Sequence, residues 1–191
     1  SYLDQLDMPK LIINSTGDQF FLPDSAQFYV GDLPGETRIR YLPNTDHGVE
    51  QGTSITDLAA SLISFFIEVA DDRPLPSFSW EVTAQNQIQV YTDPAYPPMD
   101  VELWTATVSG PLRDFRYATV GAVWDSATLT DPNGDGVYVA TVPTPTAPNT
   151  WTGFFVNLTF NNNGVLHTFS TELRVTQIGR ASCRERVCVG V

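Results

Sequence analysis

The chain has 191 residues, room for one medium or two small domains, with 42% hydrophobic residues, 14 Pro and 13 Gly. Its formal charge is −12 and it holds a single lysine, Lys10, so it offers no basic patch for phosphates and is not expected to bind nucleic acid. No apolar run approaches the roughly 20 residues that cross a bilayer as a helix. Residues 11–13 form a short β-branched run bounded by Pro9 and by the turn Ser15, Thr16, Gly17. It reads as a fully buried strand of a parallel sheet, with Asp18 just past its carboxyl end. A helix is expected next, with Asp24 or Ser25 as its N-cap after Pro23. Phe20, Phe21 and Leu22 read as a packed apolar turn. A second strand is predicted over 37–42, ending in a polar turn that carries His47.

Two successive strands would thus put Asp18 and His47 on loops at the same end, where ligands and chemistry collect in open α/β sheets. A carboxylate can fix an imidazole tautomer, and the imidazole can take a proton from a serine hydroxyl. An acid followed 29 residues later by a histidine resembles the last part of an α/β-hydrolase, whose triad runs serine, acid, histidine. Asp18 is the expected acid, Asp24 the alternative acid, and His47 the base. No G-x-S-x-G elbow occurs in the sequence. The chain therefore reads as a fragment that lacks its nucleophile, and is expected to be inactive alone. A fragment of this kind would also show no signal peptide.

Residues 54–70 show Leu58, Leu62, Phe65, Phe66 and Val69 at spacings of three and four, predicting a helix packed on the sheet through that face. Ser54 or Thr53 would cap it, with Asp57 as a capping-box acid. Residues 71–76 carry Pro74 and Pro76 and read as a linker, with a domain boundary near residue 74.

From 77 to 176 the pattern becomes alternating. Seven short runs (78–83, 88–91, 101–108, 115–124, 136–142, 151–160 and 165–175) predict a β-sandwich of immunoglobulin or fibronectin type III kind. Trp80, Trp104, Trp124 and Trp151 are expected as core anchors. An exposed planar row of them would instead signal carbohydrate binding. The run from Asp131 to Gly136, D-x-N-x-D-G, begins like a calcium loop, but Val142 stands where a bidentate Glu belongs, so a hairpin turn is the reading. A second hairpin turn is expected at 161–164. Arg113 to Arg116 reads as an ion pair fixing a strand end, and His167 as solvent-facing.

Both cysteines, Cys183 and Cys188, lie in the segment 178–191. That segment holds three of the ten basic residues and one of the 22 acidic ones, so the rest of the chain carries −14. IGRASCRERV resembles a translated frame of a sequencing-library adapter, and the segment reads as an artefactual tail. The cysteine-free body suits an exported protein.

With these residues in hand a family resemblance appears. Residues 9–25, with GDQFFLPDS, then Leu42, Pro43, Asn44 and His47, are similar to the PhoPQ-activated pathogenicity-related protein family. So are 101–106 (VELWTA), 113–116 (RDFR), 151–155 and 168–175. The resemblance implies an α/β plus all-β chain: the C-terminal part of an α/β-hydrolase sheet (1–73) followed by a β-sandwich (74–177), secreted or periplasmic. It places Asp18 and His47 at the acid and histidine positions. A small-molecule or peptide substrate is expected in the parent, with no cofactor, metal or membrane span and no identifiable protein partner. The alternative is a non-enzymatic binding or signalling protein on a hydrolase scaffold, its sandwich binding carbohydrate or protein.

Overall fold

The computed structural model describes residues 2–52, 54–177 and 187–190, the last four by backbone alone. The 178–191 tail therefore lies largely outside the described residues, as do its Cys183 and the alternative helix cap Thr53. Eleven strands are described: β1 (Lys10–Ser15), β2 (Thr37–Leu42), β3 (Phe78–Ala84), β4 (Gln87–Thr92), β5 (Asp100–Ser109), β6 (Asp125–Thr128), β7 (Val137–Thr141), β8 (Thr150–Asn162), β9 (Val165–Ser170), β10 (Arg174–Gln177) and β11 (Val187–Gly190). Helix α1 spans Ser54–Ala70 and the single turn α2 spans Tyr117–Val120.

The larger sheet runs β1-β2-β9-β8-β5-β6, with β10 also on β8, and the smaller runs β11-β3-β4-β7. They meet face to face through aromatic rings. Phe78 of β3 lies 6.0 Å from Phe160 of β8 and 6.2 Å from Phe169 of β9, centroid to centroid. Strand β8 is buried continuously from Thr152 to Leu158 because both its faces are covered. Phe155, on the face away from the smaller sheet, packs Tyr41, Trp104 and Trp124 at 5.1, 6.4 and 5.5 Å. The rings bury the largest apolar areas available to any side chain, so this cluster anchors the first third of the chain to the sandwich.

The first third does not form a separate α/β-hydrolase sheet, and that expectation is corrected. β1 and β2 do pair in parallel, Lys10↔Thr37 to Ser15↔Leu42. The other edge of β2, however, meets β9 at Ile39↔Ser170, and Tyr41 N–H donates to Ser170 Oγ at 2.9 Å. The pair is thus an extension of the mostly antiparallel larger sheet, in a chain that is mostly β.

Further expectations change. β1 is half-buried rather than fully buried, because it is an edge strand. Helix α1 has the expected bounds but turns Ser54, Ser61, Ser64 and Glu68 inward and leaves Ile55, Leu62, Ile63 and Phe66 exposed. Residues 115–124 form no strand: Asp114 accepts the Arg116 N–H at 3.0 Å, and the turn of α2 closes on Gly121 at φ 70°. His167 is fully buried, its Nε2 3.3 Å from Glu68 Oε1. Burial pushes its pKa down against the pull of Glu68.

The turns follow their local chemistry. Asn163 and Gly164 link β8 to β9 at φ 54° and 90°, the pairing a type I′ hairpin requires. Asp131 accepts N–H groups from Asn133, Gly134 and Gly136 at 3.2, 2.8 and 2.7 Å. That loop crosses between sheets, from β6 to β7, so it is a turn but not a hairpin.

Candidate functional site

Parallel pairing decides where the site lies. β1 and β2 end level, at Ser15 and Leu42, so the loops that follow leave the sheet side by side. Thr16 N–H donates to Leu42 O at 3.0 Å, and Gly17 N–H to Thr45 O at 3.0 Å. Gly17 O in turn accepts from Tyr117 N–H at 3.0 Å. A Cβ at Gly17 would lie 2.7 Å from Tyr117 N and 2.9 Å from Thr45 O. Only glycine lets these three segments approach so closely.

The histidine loop is fixed independently. Asn44, at φ 56°, exchanges two hydrogen bonds with the Trp124 backbone, accepting its N–H at 2.9 Å and donating to its O at 2.8 Å. Gln51 Oε1 accepts from Thr45 Oγ1 and from Asp46 N–H at 2.5 and 3.0 Å. The Asp46 carboxylate is occupied by Gly48 N–H at 2.8 Å.

Between the two loops, His47 Nδ1 lies 2.9 Å from Asp18 Oδ2. The Asp18 side chain is 6% exposed and that of His47 46%. Asp18 Oδ1 also accepts the N–H groups of Phe20 and Phe21 at 2.7 and 3.0 Å. Burial pushes the Asp18 carboxyl up, but the hydrogen bonds from His47, Phe21 and Phe20 outweigh it and hold the carboxyl below its ordinary value of 3.8. An ionised carboxylate can only accept, so Nδ1 carries the hydrogen, and whenever the ring is neutral Nε2 is left as an acceptor. Among the described residues no hydrogen bond engages Nε2. The arrangement can orient an imidazole and stabilise its protonated form.

The loop around the pair is apolar and open. Phe20 meets the His47 ring edge-on at 5.1 Å, and Phe21 lies 5.7 Å away. Phe20, Phe21 and Leu22 are 69%, 63% and 55% exposed instead of packed inside, and the two phenylalanines flank the ring. Asp18 borders two cavities. One, of about 560 Å³, follows β1 past Ile13, Phe21, Tyr29 and Leu58 to His47. The other, of about 160 Å³, is walled by Leu22, Asp24, Arg113 and Phe115.

Asp24, the alternative acid, is held elsewhere. It begins no α-helix; the chain from Pro23 to Phe28 is 3-10, preceded by Leu22. Its carboxylate receives Arg113 Nη1 at 2.5 Å and Nη2 at 3.4 Å. Arg113 stands 89 residues downstream, and nothing in the sequence spacing pairs it with Asp24. The expected local pair is that of Arg116 with Asp114, at 2.6 Å, and the Arg116 guanidinium holds the Asp114 carboxyl well below the usual range. The tryptophans form no exposed row: Trp80 and Trp124 are buried, Trp104 stacks on Phe155, and Trp151 donates to Gln177. Among the described residues no helix is long and apolar enough to cross a membrane.

With this geometry in place, the comparisons fall on the same residues. A family model described as PhoPQ-activated pathogenicity-related protein matches residues 1–116, which include Asp18, His47, ELWTA and RDFR. Autocrine proliferation repressor protein A of Dictyostelium discoideum is 35% identical over 173 residues, covering 82% of this chain and 34% of that protein. The chain thus spans about a third of the length of this curated relative. No solved structure matches the chain.

Proposed function

The chain belongs to the PhoPQ-activated pathogenicity-related protein family, and within it we propose that residues 1–73 supply the acid and histidine of a serine hydrolase acting on an ester or amide bond. The observation that carries this reading is the 2.9 Å contact between His47 Nδ1 and the buried, ionised Asp18. His47 Nε2 would take the proton of an attacking hydroxyl as its oxygen bonds to the acyl carbon. It would then return that proton to the leaving group, and a water would repeat the sequence on the acyl-enzyme. Asp18 orients the ring, and the sandwich of 74–177 supports the loop through Asn44 and Trp124. The hydroxyl comes from polypeptide outside these 191 residues, and the substrate is a small molecule or peptide with an apolar group to lie against Phe20 and Phe21. Export, to the periplasm or beyond the cell, belongs to the same proposal.

A second reading is a binding or signalling protein without hydrolysis. The name of the Dictyostelium relative, a proliferation repressor, favours it. A fluorophosphonate probe separates the two when applied to that full-length relative. The hydrolase reading expects covalent labelling of one serine, abolished when the residue aligned with His47 is replaced by alanine. Absence of labelling favours the binder. The isolated 191-residue chain should show no His47-dependent ester turnover.

A further inference from the structure

Cations are scarce in residues 1–177, seven against 21 acidic residues, and the accessible ones gather in one place. Lys10 Nζ donates to the carbonyls of Leu6, Met8 and Pro34. Arg38 and Arg40 are buried, and Arg73 pairs with Glu68 and Asp71 at the end of α1. The other three, Arg113, Arg116 and Arg174, all line the cleft between the segment 22–28 and the sandwich. The carboxylates beside them, Asp24, Asp114 and Glu172, are each matched by one of the three guanidiniums. In a strongly acidic chain this is a place where an incoming anion meets cations.

The cleft leads away from the acid–histidine pair. Its inner part is the cavity of about 160 Å³ that borders Asp18. Leu22, Asp24 and Arg113 line both this part and an outer cavity of about 660 Å³, which runs on to Gln27, Trp151 and Gln177. The outer part falls within the roughly 300–1,000 Å³ of pockets that enclose a small ligand. Its guanidiniums are anchored on one side only. Arg174 donates through Nη1 to Gln27 Oε1 at 2.9 Å and to Glu172 Oε1 at 3.2 Å, and Arg113 donates through Nη1 and Nη2 to Asp24. Among the described residues no hydrogen bond engages Nε of Arg113, or Nε and Nη2 of Arg174. A planar guanidinium held in this way offers its remaining N–H groups as a fixed fork, which suits a carboxylate. Phe28 and Leu112, 71% and 73% exposed, add apolar surface at the same cleft.

We propose that this cleft binds the substrate of the adjoining Asp18–His47 pair as an extended acidic peptide. Arg174 takes a carboxylate side chain of the peptide, Arg113 lies beside it, and apolar side chains rest on Leu112 and Phe28. The inference rests on the reading of that pair as part of a hydrolase and narrows its substrate class.

The test is binding to this 191-residue chain, which needs no nucleophile. Two short acetylated and amidated peptides of alanine and leucine differ only in one central glutamate replaced by glutamine. Isothermal titration should find the glutamate peptide tighter by on the order of 10-fold. In proton–nitrogen NMR that peptide should shift the Nε–H of Arg174 and the indole N–H of Trp151. Arg174→Gln should abolish the difference between the two peptides while leaving the affinity of the glutamine peptide as it was. The wild-type comparison stands by itself should that variant not fold. Equal affinity of the two peptides, binding of neither, or shifts confined to residues outside the cleft overturns the proposal. Discrimination here without fluorophosphonate labelling of the relative removes hydrolysis and keeps the ligand class; labelling without discrimination does the reverse.

Discussion

Gly17→Ala is the sharpest single perturbation of the site, because the added methyl meets backbone on two sides. It would sit 2.7 Å from Tyr117 N and 2.9 Å from Thr45 O, roughly an ångström inside ordinary contact distance. Neither atom belongs to a flexible side chain, and both already hydrogen-bond Gly17, at 3.0 Å each. Relief requires moving either the histidine loop or α2 away. Overpacking of this kind costs about 1–3 kcal/mol. Breaking one of the two hydrogen bonds strands a buried group for about 1–3 kcal/mol more. A total of about 4 kcal/mol follows, equivalent to a Tm lower by roughly 8–16 °C for a chain of this size. The assay is calorimetry at neutral pH, with the His47 ring followed by NMR. Because Gly17 precedes Asp18, the ring resonances should change along with the Tm. A variant with unchanged Tm and unchanged His47 resonances would refute the claim that this crossing point sets the site.

Other consequences follow from the carboxylates. The depressed pKa of Asp18 makes its contribution to stability fully present above about pH 4 and lost as pH falls through its lower folded value. Asp18→Asn should therefore flatten the acid limb of a urea-stability profile measured between neutrality and pH 3, and a limb identical to wild type would count against it. Glu68→Ala removes the partner of buried His167 and of Arg73, whose Nε donates to it at 2.6 Å. It should cost about 2–3 kcal/mol by urea denaturation, with Glu68→Gln milder because one hydrogen bond survives.

What the sequence revealed depended on the kind of signal each residue carried. Residues 37–42 and 54–70 were readable to the residue because a β-branched run, a cap and a proline-rich stop bracket them. The facing of α1 was not. Periodicity reports that two flanks of a helix differ, but not which flank meets the sheet, and here the serines and Glu68 went inward. His167 failed for a related reason, since alternation fixes two faces of β9 and leaves open which one is buried: Leu166 is 56% exposed and His167 fully buried. The run 115–124 has strand composition, with Phe115 and Trp124 both in the core, but Asp114 and Gly121 supply local turn chemistry that outweighs it. The Asp18–His47 approach was legible because it follows from parallel strands ending level. The Arg113–Asp24 pair and the Asn44–Trp124 clasp join positions 89 and 80 residues apart, and no local pattern encodes them.

The meeting of β2 with β9 also bears on how the chain is made. Ile39 pairs with Ile12 on one side, but its partner across the other edge of β2 is Ser170, so that edge stays unpaired while a ribosome is still adding the intervening residues. Contacts this distant in sequence are slow to form. The sheet beneath the loops bearing Asp18 and His47 is joined to β9 only once Ser170 is made, and until then that edge of β2 stays open to chaperones and to neighbouring nascent chains.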